Sequence, residues 1–295
     1  MTETELSWQS RLVLLAVLPS VAVQVALDCD AWLARVAPVP IWTIGLSALL
    51  GLVTWRLRAA TPAAALTGTV ITASLMFSTA AVPYAPWRTA LIPVLAVSLL
   101  AFGATRAGRQ HKVRLGTAEA RDGRSAAQVA ANLGLAALVS SGPAASWLIN
   151  SNLVHGWPAT QLLFALGLAA LAEAAADTVS SEIGQVFGGR PRLITTLRAV
   201  EPGRNGAISP AGTLAGVIAA ALVAGAGAWA VNGSWNLFWI SGAGAVFGLL
   251  FDSLLGATLE HRRWLNNDAV NFLSTAGAAG FALLLLALMP RSWLR

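Results

Sequence analysis

Long apolar segments separated by short polar connections dominate the pattern of the chain. A transmembrane helix needs about 20 predominantly apolar residues, and several of these segments approach that length. The pattern predicts nine spanning helices, near residues 11–27, 41–55, 61–81, 87–104, 125–142, 159–180, 210–231, 235–257 and 268–289. We therefore expect an all-α polytopic membrane bundle that forms a single integral membrane domain over residues 1–295.

Composition agrees with a membrane protein and excludes several other classes. Hydrophobic residues make up 56% of the chain and charged residues only 11%. The formal net charge of +6 does not indicate a nucleic-acid partner, because the sequence has neither a basic tail nor a basic stripe interleaved with aromatic residues. The single cysteine, Cys29, excludes an intramolecular disulfide and a cysteine metal cluster.

The basic residues predict the orientation of the bundle. Of the 19 Lys and Arg residues, 14 lie on the connections after the second, fourth, sixth and eighth segments. Because basic loops stay in the cytoplasm, these connections are expected on the cytoplasmic side and both termini on the other side, together with Arg11. The 14 residues are Arg56, Arg58, Arg106, Arg109, Lys112, Arg114, Arg121, Arg124, Arg190, Arg192, Arg198, Arg204, Arg262 and Arg263.

The two halves of the chain differ in the polarity of their apolar segments. Residues 1–104 carry almost no ionisable group inside a segment, so we expect them to be mainly scaffold helices. Within them, Thr61-Pro62 has the form of an N-cap followed by a first-turn proline. Residues 105–289 place polar groups at the cytoplasmic ends of their segments, which predicts a polar site there.

Carboxylates at segment ends are the first component of that site. Glu173 and Asp177 are four residues apart on the sixth segment, and Asp252 ends the eighth. Glu182 lies five residues beyond Asp177, about 140° round a helix, so one ion could meet both only if the helix breaks near Ser180–Ser181 or has a bent end. A charge near hydrocarbon costs about 2.5–3.5 kcal/mol, which favours a functional site over structural ion pairs with the loop arginines.

The loop between the sixth and seventh segments is the second component. It carries Arg198, Gly203, Arg204 and Gly206 and then leads into Ser209-Pro210, a predicted helix start. A glycine-bearing loop that leads into a helix N-terminus is typical of an anion site. Mg²⁺ binds through one or two carboxylates together with substrate phosphates, so the acids and this loop predict a magnesium and phosphate site.

Amide side chains accompany the acids. Gln128 and Asn132 are four residues apart and share one helix face, as do Asn267 and Asn271. They could bind a substrate, or they could join helices as buried amides often do. The three histidines lie on different connections, which makes a histidine zinc site or a Ser-His-Asp relay improbable.

Six ordered blocks of the sequence resemble an integral membrane family that includes plant and cyanobacterial phytyl-phosphate kinase and transmembrane protein nineteen (domain of unknown function 92). The resemblance extends from about Leu57 to Leu286. The blocks are LRAATPAAALTG (57–68), GRSAAQVAANLG (123–134), ADTVSSEIG (176–184), LITTLRAVEPGRNGAISPAGTLAG (193–216), DSLLGATLE (252–260) and LNNDAVNFLS (265–274).

The resemblance implies phosphoryl transfer from a nucleoside triphosphate, CTP or ATP, to an isoprenyl monophosphate such as phytyl phosphate. A looser similarity extends to CTP-using dolichol and phytol kinases and CDP-diacylglycerol synthases, through Asp177, Gly184, Phe187–Gly189 and Arg198. The chain departs from the family at several positions, where the family has lysine at Arg198, threonine and glycine at Arg204 and Ala207, and glutamine at Glu260.

A mechanism on these residues gives each a role. Asp177, Glu182 and Asp252 are expected to hold Mg²⁺, and Arg198 is expected to neutralise charge on the transferring group. The expected nucleotide- and substrate-binding residues are Lys112, Arg124, Gln128, Asn132, Gly203, Arg204, Asn205, Gly206, Ser209, Glu260, Asn267 and Asn271.

Two other functions stay open on the sequence. A cytidylyltransferase would use the same metal and phosphate groups but release pyrophosphate and leave a CDP-lipid. A lipid or ion transporter would need polar residues through the middle of the bilayer and internal repeats, which the sequence does not show. The expected partners are the lipid substrate, the nucleotide and membrane lipids, without nucleic acid, and a homodimer stays open.

Overall fold

A computed structural model describes residues 6–118, 122–151, 159–233 and 235–289. The all-α bundle that the sequence predicts is confirmed. Its helices are α1 (Ser7–Leu33), α2 (Pro38–Arg56), α3 (Pro62–Ser78), α4 (Leu91–Arg106), α5 (Arg109–Leu115), α6 (Ala126–Val139), α7 (Gly142–Ser151), α8 (Ala159–Phe187), α9 (Pro210–Ala230), α10 (Trp235–Leu255) and α11 (Asn267–Leu288). A 3₁₀ turn, Pro86–Arg88, precedes α4, and a π-helical turn, Gly256–Glu260, continues α10.

Each of the nine predicted segments coincides with a helix, but the helices differ in their capacity to span a bilayer. Six described helices are long and apolar enough to cross, and up to eight spans result if each bent pair counts as one. The bent pairs are α4–α5, with an angle of 64°, and α6–α7, with an angle of 51°. Helix α3 has 17 residues and is shorter than a usual span. Nine crossings therefore stay a prediction, as does the division into scaffold and site.

Helix α8 is the centre of the bundle. It packs against α4, α6, α9, α10 and α11, and 94% of its most apolar 18-residue stretch is buried inside the protein. Small residues allow the close approach of α9: a Cβ atom added at Gly216 would lie only 2.8 Å from the carbonyl oxygen of Ala176 on α8. Acidic side chains on α8 are therefore shielded from lipid by the surrounding helices.

Side-chain caps fix the starts of several helices. The Thr61 hydroxyl accepts a hydrogen bond from the Ala64 amide at the start of α3, and the Ser209 hydroxyl accepts one from the Gly212 amide at the start of α9. Both predicted cap-and-proline starts are confirmed. Satisfied amide groups at these ends make the helix starts definite.

Four connections meet at one end of the bundle, which we call the polar end: α2–α3, α4–α6, α8–α9 and α10–α11. The Thr61 amide donates to the Arg124 carbonyl oxygen over 3.0 Å, which joins the first two connections. The α8–α9 connection packs against the end of α10, where the Gly206 nitrogen would lie 2.9 Å from a Cβ at Gly256. At the opposite end, Arg88 donates to the Trp229 carbonyl oxygen.

The start of α1 also lies at the polar end. Gln9 donates to the Trp264 carbonyl oxygen over 2.9 Å, and Asn266 donates to the Leu6 carbonyl oxygen over 2.8 Å. The expectation that both termini and Arg11 lie on the side away from the polar connections is therefore wrong for the start of α1. With the nine crossings that the sequence predicts, the start of α1 and the end of α11 would lie on opposite sides.

Candidate functional site

Acidic side chains from α8 and α10 form a buried cluster near the polar end. The carboxyl groups of Asp177 and Asp252 are close enough to interact directly, as the sequence predicts. Ser274 on α11 approaches the carboxyl groups of both Asp252 and Glu173. Glu173 lies one helical turn deeper than Asp177 and is 1% exposed, and Glu260 feels the charge of Asp177. Side chains from three helices therefore meet here: carboxylates from α8 and α10 and a hydroxyl group from α11.

Two oxygen atoms of this cluster lack a hydrogen-bond donor. Within the described residues, Glu173 Oε1 and Asp252 Oδ2 are buried and unpartnered. A buried acceptor without a partner costs about 1–3 kcal/mol, and neighbouring carboxylates repel one another when ionised. A cation or a proton is required to offset both effects. The cluster is thus poised to accept a positively charged group.

The donor set fits Mg²⁺. Carboxylate oxygens are the ligands that this ion prefers, and it commonly uses one or two of them together with substrate phosphates and water. Asp177 and Asp252 supply such a pair. In the part of the chain that the structure describes, no three or more His, Cys, Asp or Glu side chains are grouped as a complete metal site. Substrate phosphate oxygens and water would complete the coordination.

Glu182, the third predicted metal ligand, is paired with a lysine. Helix α8 continues through Ser180–Ser181 to Phe187, so the predicted break is wrong. On this unbroken helix Glu182 accepts a hydrogen bond from Lys112 Nζ at 2.5 Å, and Asp177 still feels its charge. The expectation that Glu182 assists Asp177 on one ion stays a prediction, now for a carboxylate that is already paired with Lys112.

Lys112 is a structural residue in this arrangement. Its ammonium group also donates to the carbonyl oxygens of Ala104 and Thr105, over 2.9 and 2.8 Å, and the side chain is only 1% exposed. With its three donors used, Lys112 has none left for a nucleotide. The prediction that it binds substrate is contradicted for the same reason.

Arg124 is a basic residue whose charge acts on the acidic cluster. Its guanidinium group interacts electrostatically with Asp177 and donates to the Thr178 hydroxyl over 3.2 Å. Its main chain pairs with Ala59 and Thr61, on the connection between α2 and α3. Arg124 therefore links the acidic cluster to the first half of the chain.

The α8–α9 connection folds into a small hairpin. Strands β1 (Arg192–Leu193) and β2 (Ala207–Ile208) pair antiparallel, with Arg192 opposite Ile208. Two-residue strands are too short to show an alternating pattern, so the sequence predicts only a loop. The hairpin presents the exposed side chains of Arg198, Arg204 and Asn205.

Glycines allow the hairpin to pack closely against the end of α10. Gly203 and Gly206 have φ values of 82° and 73°, which favour glycine. Gly206 also packs directly against Ala257 of the π-helical turn, which leads to Glu260. The basic loop is therefore attached to the helix that carries Asp252.

The predicted amide residues have separate positions. Gln128 accepts from the Ser125 amide in a capping box, and Asn132 donates to the Gln128 carbonyl oxygen, so both bond within α6 rather than between helices. Asn271 is buried, and its carbonyl oxygen accepts from Ser274, whereas Asn267 is exposed at the start of α11. Ser274 itself was not predicted, although its spacing of three residues from Asn271 puts it on the same helix face.

The architecture and the buried carboxylates at one end define a multi-pass all-α integral membrane protein. The chain belongs to the family described as Integral membrane protein DUF92, which matches residues 45–279. This match confirms the resemblance seen in the sequence blocks.

Relatives occur in archaea, cyanobacteria and plants. The chain is 43% identical over 108 residues to an uncharacterized membrane protein of Methanocaldococcus jannaschii, covering 37% of this chain and 45% of that one. It is 33% identical over 206 residues to an uncharacterized membrane protein of Synechocystis sp., covering 67% and 73%. It is 29% identical over 206 residues to Protein VTE6, chloroplastic, of Arabidopsis thaliana, covering 68% and 60%. No solved structure matches the chain.

Proposed function

We propose that the protein is a membrane phosphotransferase that converts an isoprenyl monophosphate, such as phytyl phosphate, to the diphosphate with a nucleoside triphosphate as donor. The observation that carries the proposal is the buried pair of Asp177 and Asp252, with an unpartnered Asp252 oxygen, beside Arg124 and below a basic loop. Membership of the family and its resemblance to phytyl-phosphate kinase support the choice of substrate.

Positioning and charge neutralisation carry most of phosphoryl transfer, and the site offers both. Asp177 and Asp252 would hold Mg²⁺, which when bound neutralises charge on the donor phosphates. Arg198 and Arg204 on the hairpin, with the start of α9, would bind the phosphates themselves. The bond between the β and γ phosphates breaks as the γ phosphorus bonds to an acceptor phosphate oxygen.

A strong general base is not needed for this reaction. The second pKa of a phosphate monoester is about 6, so the acceptor is mostly a dianion near neutral pH. The described histidines, His111 and His261, are exposed on separate connections, in agreement with a mechanism that does not use them. CTP is the donor that we propose, because of the similarity to CTP-using membrane kinases.

The test is a transfer assay with a matched pair of variants. Purified protein in detergent receives Mg²⁺, γ-labelled CTP or ATP, and a panel of isoprenyl monophosphates. We expect label in a lipid diphosphate, and a loss of at least about a hundredfold in Asp252→Asn, because one preorganised electrostatic contact contributes about that much. The control is Asp28→Asn, the same change in a partly buried acid near the far end of α1.

Other outcomes would contradict the proposal in different ways. An Asp252→Asn variant with full turnover would remove Asp252 from the site. An α-labelled lipid together with released pyrophosphate would identify a cytidylyltransferase. If neither label enters lipid, the phosphotransferase is excluded, and flux measurements in vesicles would test transport.

A further inference from the structure

A cavity of about 490 Å³ opens at the polar end among α2, α3, α4, α6 and α8. Helix α4 packs mainly against α8 and α9, which leaves this space between it and the α2–α3 pair. The volume lies within the range of about 300–1,000 Å³ that is usual for ligand sites. The helices that the sequence predicts to be mainly scaffold therefore enclose most of a binding-sized space.

The interior of the cavity is apolar and long. On α4 its lining runs from Val94 to Arg106, which at 1.5 Å per residue is a length of about 18 Å along the helix axis. Leu50 and Leu133 contribute to the walls from α2 and α6. A space of this length and volume has room for one apolar chain rather than for two side by side.

The mouth of the cavity is strongly basic. Its lining includes Arg58, Arg106, Arg109 and Arg124, and no Asp or Glu is among the lining residues. Arg106 is held by the Leu57 carbonyl oxygen and by the Phe102 ring. Four guanidinium groups around one opening favour an anion, and a phosphate in particular.

The cavity and the acidic cluster share a wall. Ala174, which lines the cavity, lies on α8 between Glu173 and Asp177. Arg124 both lines the cavity and interacts with Asp177. An anionic group held at the mouth would therefore lie next to the carboxylate pair.

We propose that this cavity is the binding site of a single-chain lipid monophosphate, with the chain between α4 and the α2–α3 pair and the phosphate at Arg58, Arg109 and Arg124. That this lipid accepts the transferred phosphoryl group rests on the proposed function. The binding itself does not, since the argument uses only shape, polarity and charge.

Gly68 gives the sharpest test of the chain-binding part. It lines the cavity, and a Cβ atom added there would meet only Val129 Cγ1, at 3.8 Å, so that a larger side chain can point into the space without displacing the backbone. Gly68→Leu should weaken the binding of tritiated phytyl monophosphate to purified protein, without nucleotide, by at least about tenfold in Kd. The matched control is Gly45→Leu, on an exposed face of α2 with no atom near its Cβ position.

Arginine variants test the headgroup part. Arg58→Gln and Arg109→Gln should each raise the Kd of the monophosphate by about ten- to a hundredfold, since charged hydrogen bonds contribute that range, and should leave binding of phytol unchanged. Arg114→Gln, on the exposed side of the neighbouring helix α5 and outside the cavity, is the control.

Three results would overturn the proposal: unchanged binding in Gly68→Leu, equal affinity for phytol and its monophosphate, or equal affinity for a two-chain phosphatidate. Because the binding assay uses no nucleotide, it tests the lipid site independently of the proposed phosphotransferase activity. Binding that follows the predicted pattern in a protein without kinase activity would support the cavity and exclude the phosphotransferase. Kinase activity together with binding that Gly68→Leu does not change would support the phosphotransferase and exclude the cavity as the lipid site.

Discussion

Lys112 carries a charge in a place where an ammonium group needs three oxygen partners. Two of them are the carbonyl oxygens of Ala104 and Thr105, in the last turn of α4, where helix carbonyl groups run short of amide donors; the Ala104 oxygen also accepts from the Ala107 amide. The third is the carboxylate of Glu182. The side chain therefore closes the end of α4 and attaches it to α8.

We expect Lys112→Met to destabilise the protein by about 3–5 kcal/mol, because it leaves a partly buried carboxylate without its partner. Thermal unfolding in detergent measures the effect, and Arg114→Met, an exposed change on the same helix, should unfold like the unchanged protein. The double variant with Glu182→Gln should recover part of the loss. A Lys112→Met protein of normal stability that no longer binds nucleotide would instead place Lys112 in the site.

At the scale of residues, the sequence could predict the pair but not its surroundings. Asp177 and Asp252 were expected at one site and are close together. The angle between Asp177 and Glu182 was also correct, but the inferred break was wrong. The partner that accounts for Glu182 lies 70 residues away in the chain, and no local spacing indicates it.

The hairpin between α8 and α9 has one glycine that packs closely against α10 and one that does not. Gly206 combines a positive φ with direct contact to Ala257, so both its conformation and its position exclude a side chain. Gly189, at the start of the same connection, has a φ of 62° but open space around it. A substitution at Gly189 therefore tests backbone strain alone, whereas one at Gly206 tests strain together with packing against α10.

We expect Gly206→Ala to displace the hairpin from α10 and to lower the affinity for nucleotide and the turnover together. Gly189→Ala should carry only the strain of about 1–2 kcal/mol and keep near-normal affinity. Nucleotide titration followed by the transfer assay compares the two variants. Equal effects in both would mean that contact with α10 does not position the loop.

At the scale of elements, hydropathy and cap chemistry were sufficient to find most of the bundle. The Thr61 and Ser209 caps were predicted because a short oxygen-bearing side chain before proline acts locally. The bends after α4 and α6 were missed, because a continuous apolar segment does not show where a helix changes direction. Gly108, with a φ of 59° before α5, is the local signal for the first bend.

Nearly all of the predicted site residues lie at the polar end of the bundle. The start of α1 joins this end through Gln9 and Asn266. The predicted segments already imply this position, since two crossings separate the start of α1 from the α2–α3 connection; the expectation that both termini lie on the other side did not agree with that count. The sequence correctly predicted that the four basic connections lie at the same end of the bundle, because they carry most of the Lys and Arg residues. We propose that this side faces the cytoplasm.

Single cysteines report that orientation in a Cys29→Ser background. A membrane-impermeant maleimide added to intact cells should label Val82→Cys, at the end opposite the site, and should label Gln110→Cys and Trp8→Cys only after lysis; all three positions are exposed. Labelling of Gln110→Cys in intact cells would reverse the orientation. Labelling of Trp8→Cys but not Gln110→Cys would contradict the contact between the start of α1 and the polar end.

The contact between the start of α1 and the α10–α11 connection joins residues that are made early and late in synthesis. Gln9 and its partner Trp264 are 255 residues apart. At a synthesis rate of about 5–20 residues per second, the ribosome needs about 13–50 s to make the segment between them. During that time the polar side chains at the start of α1 have no Asn266 to bond with. The start of the first helix thus waits for one of the last connections to be made, whereas α3 and α6, against which the rest of α1 packs, are made much earlier.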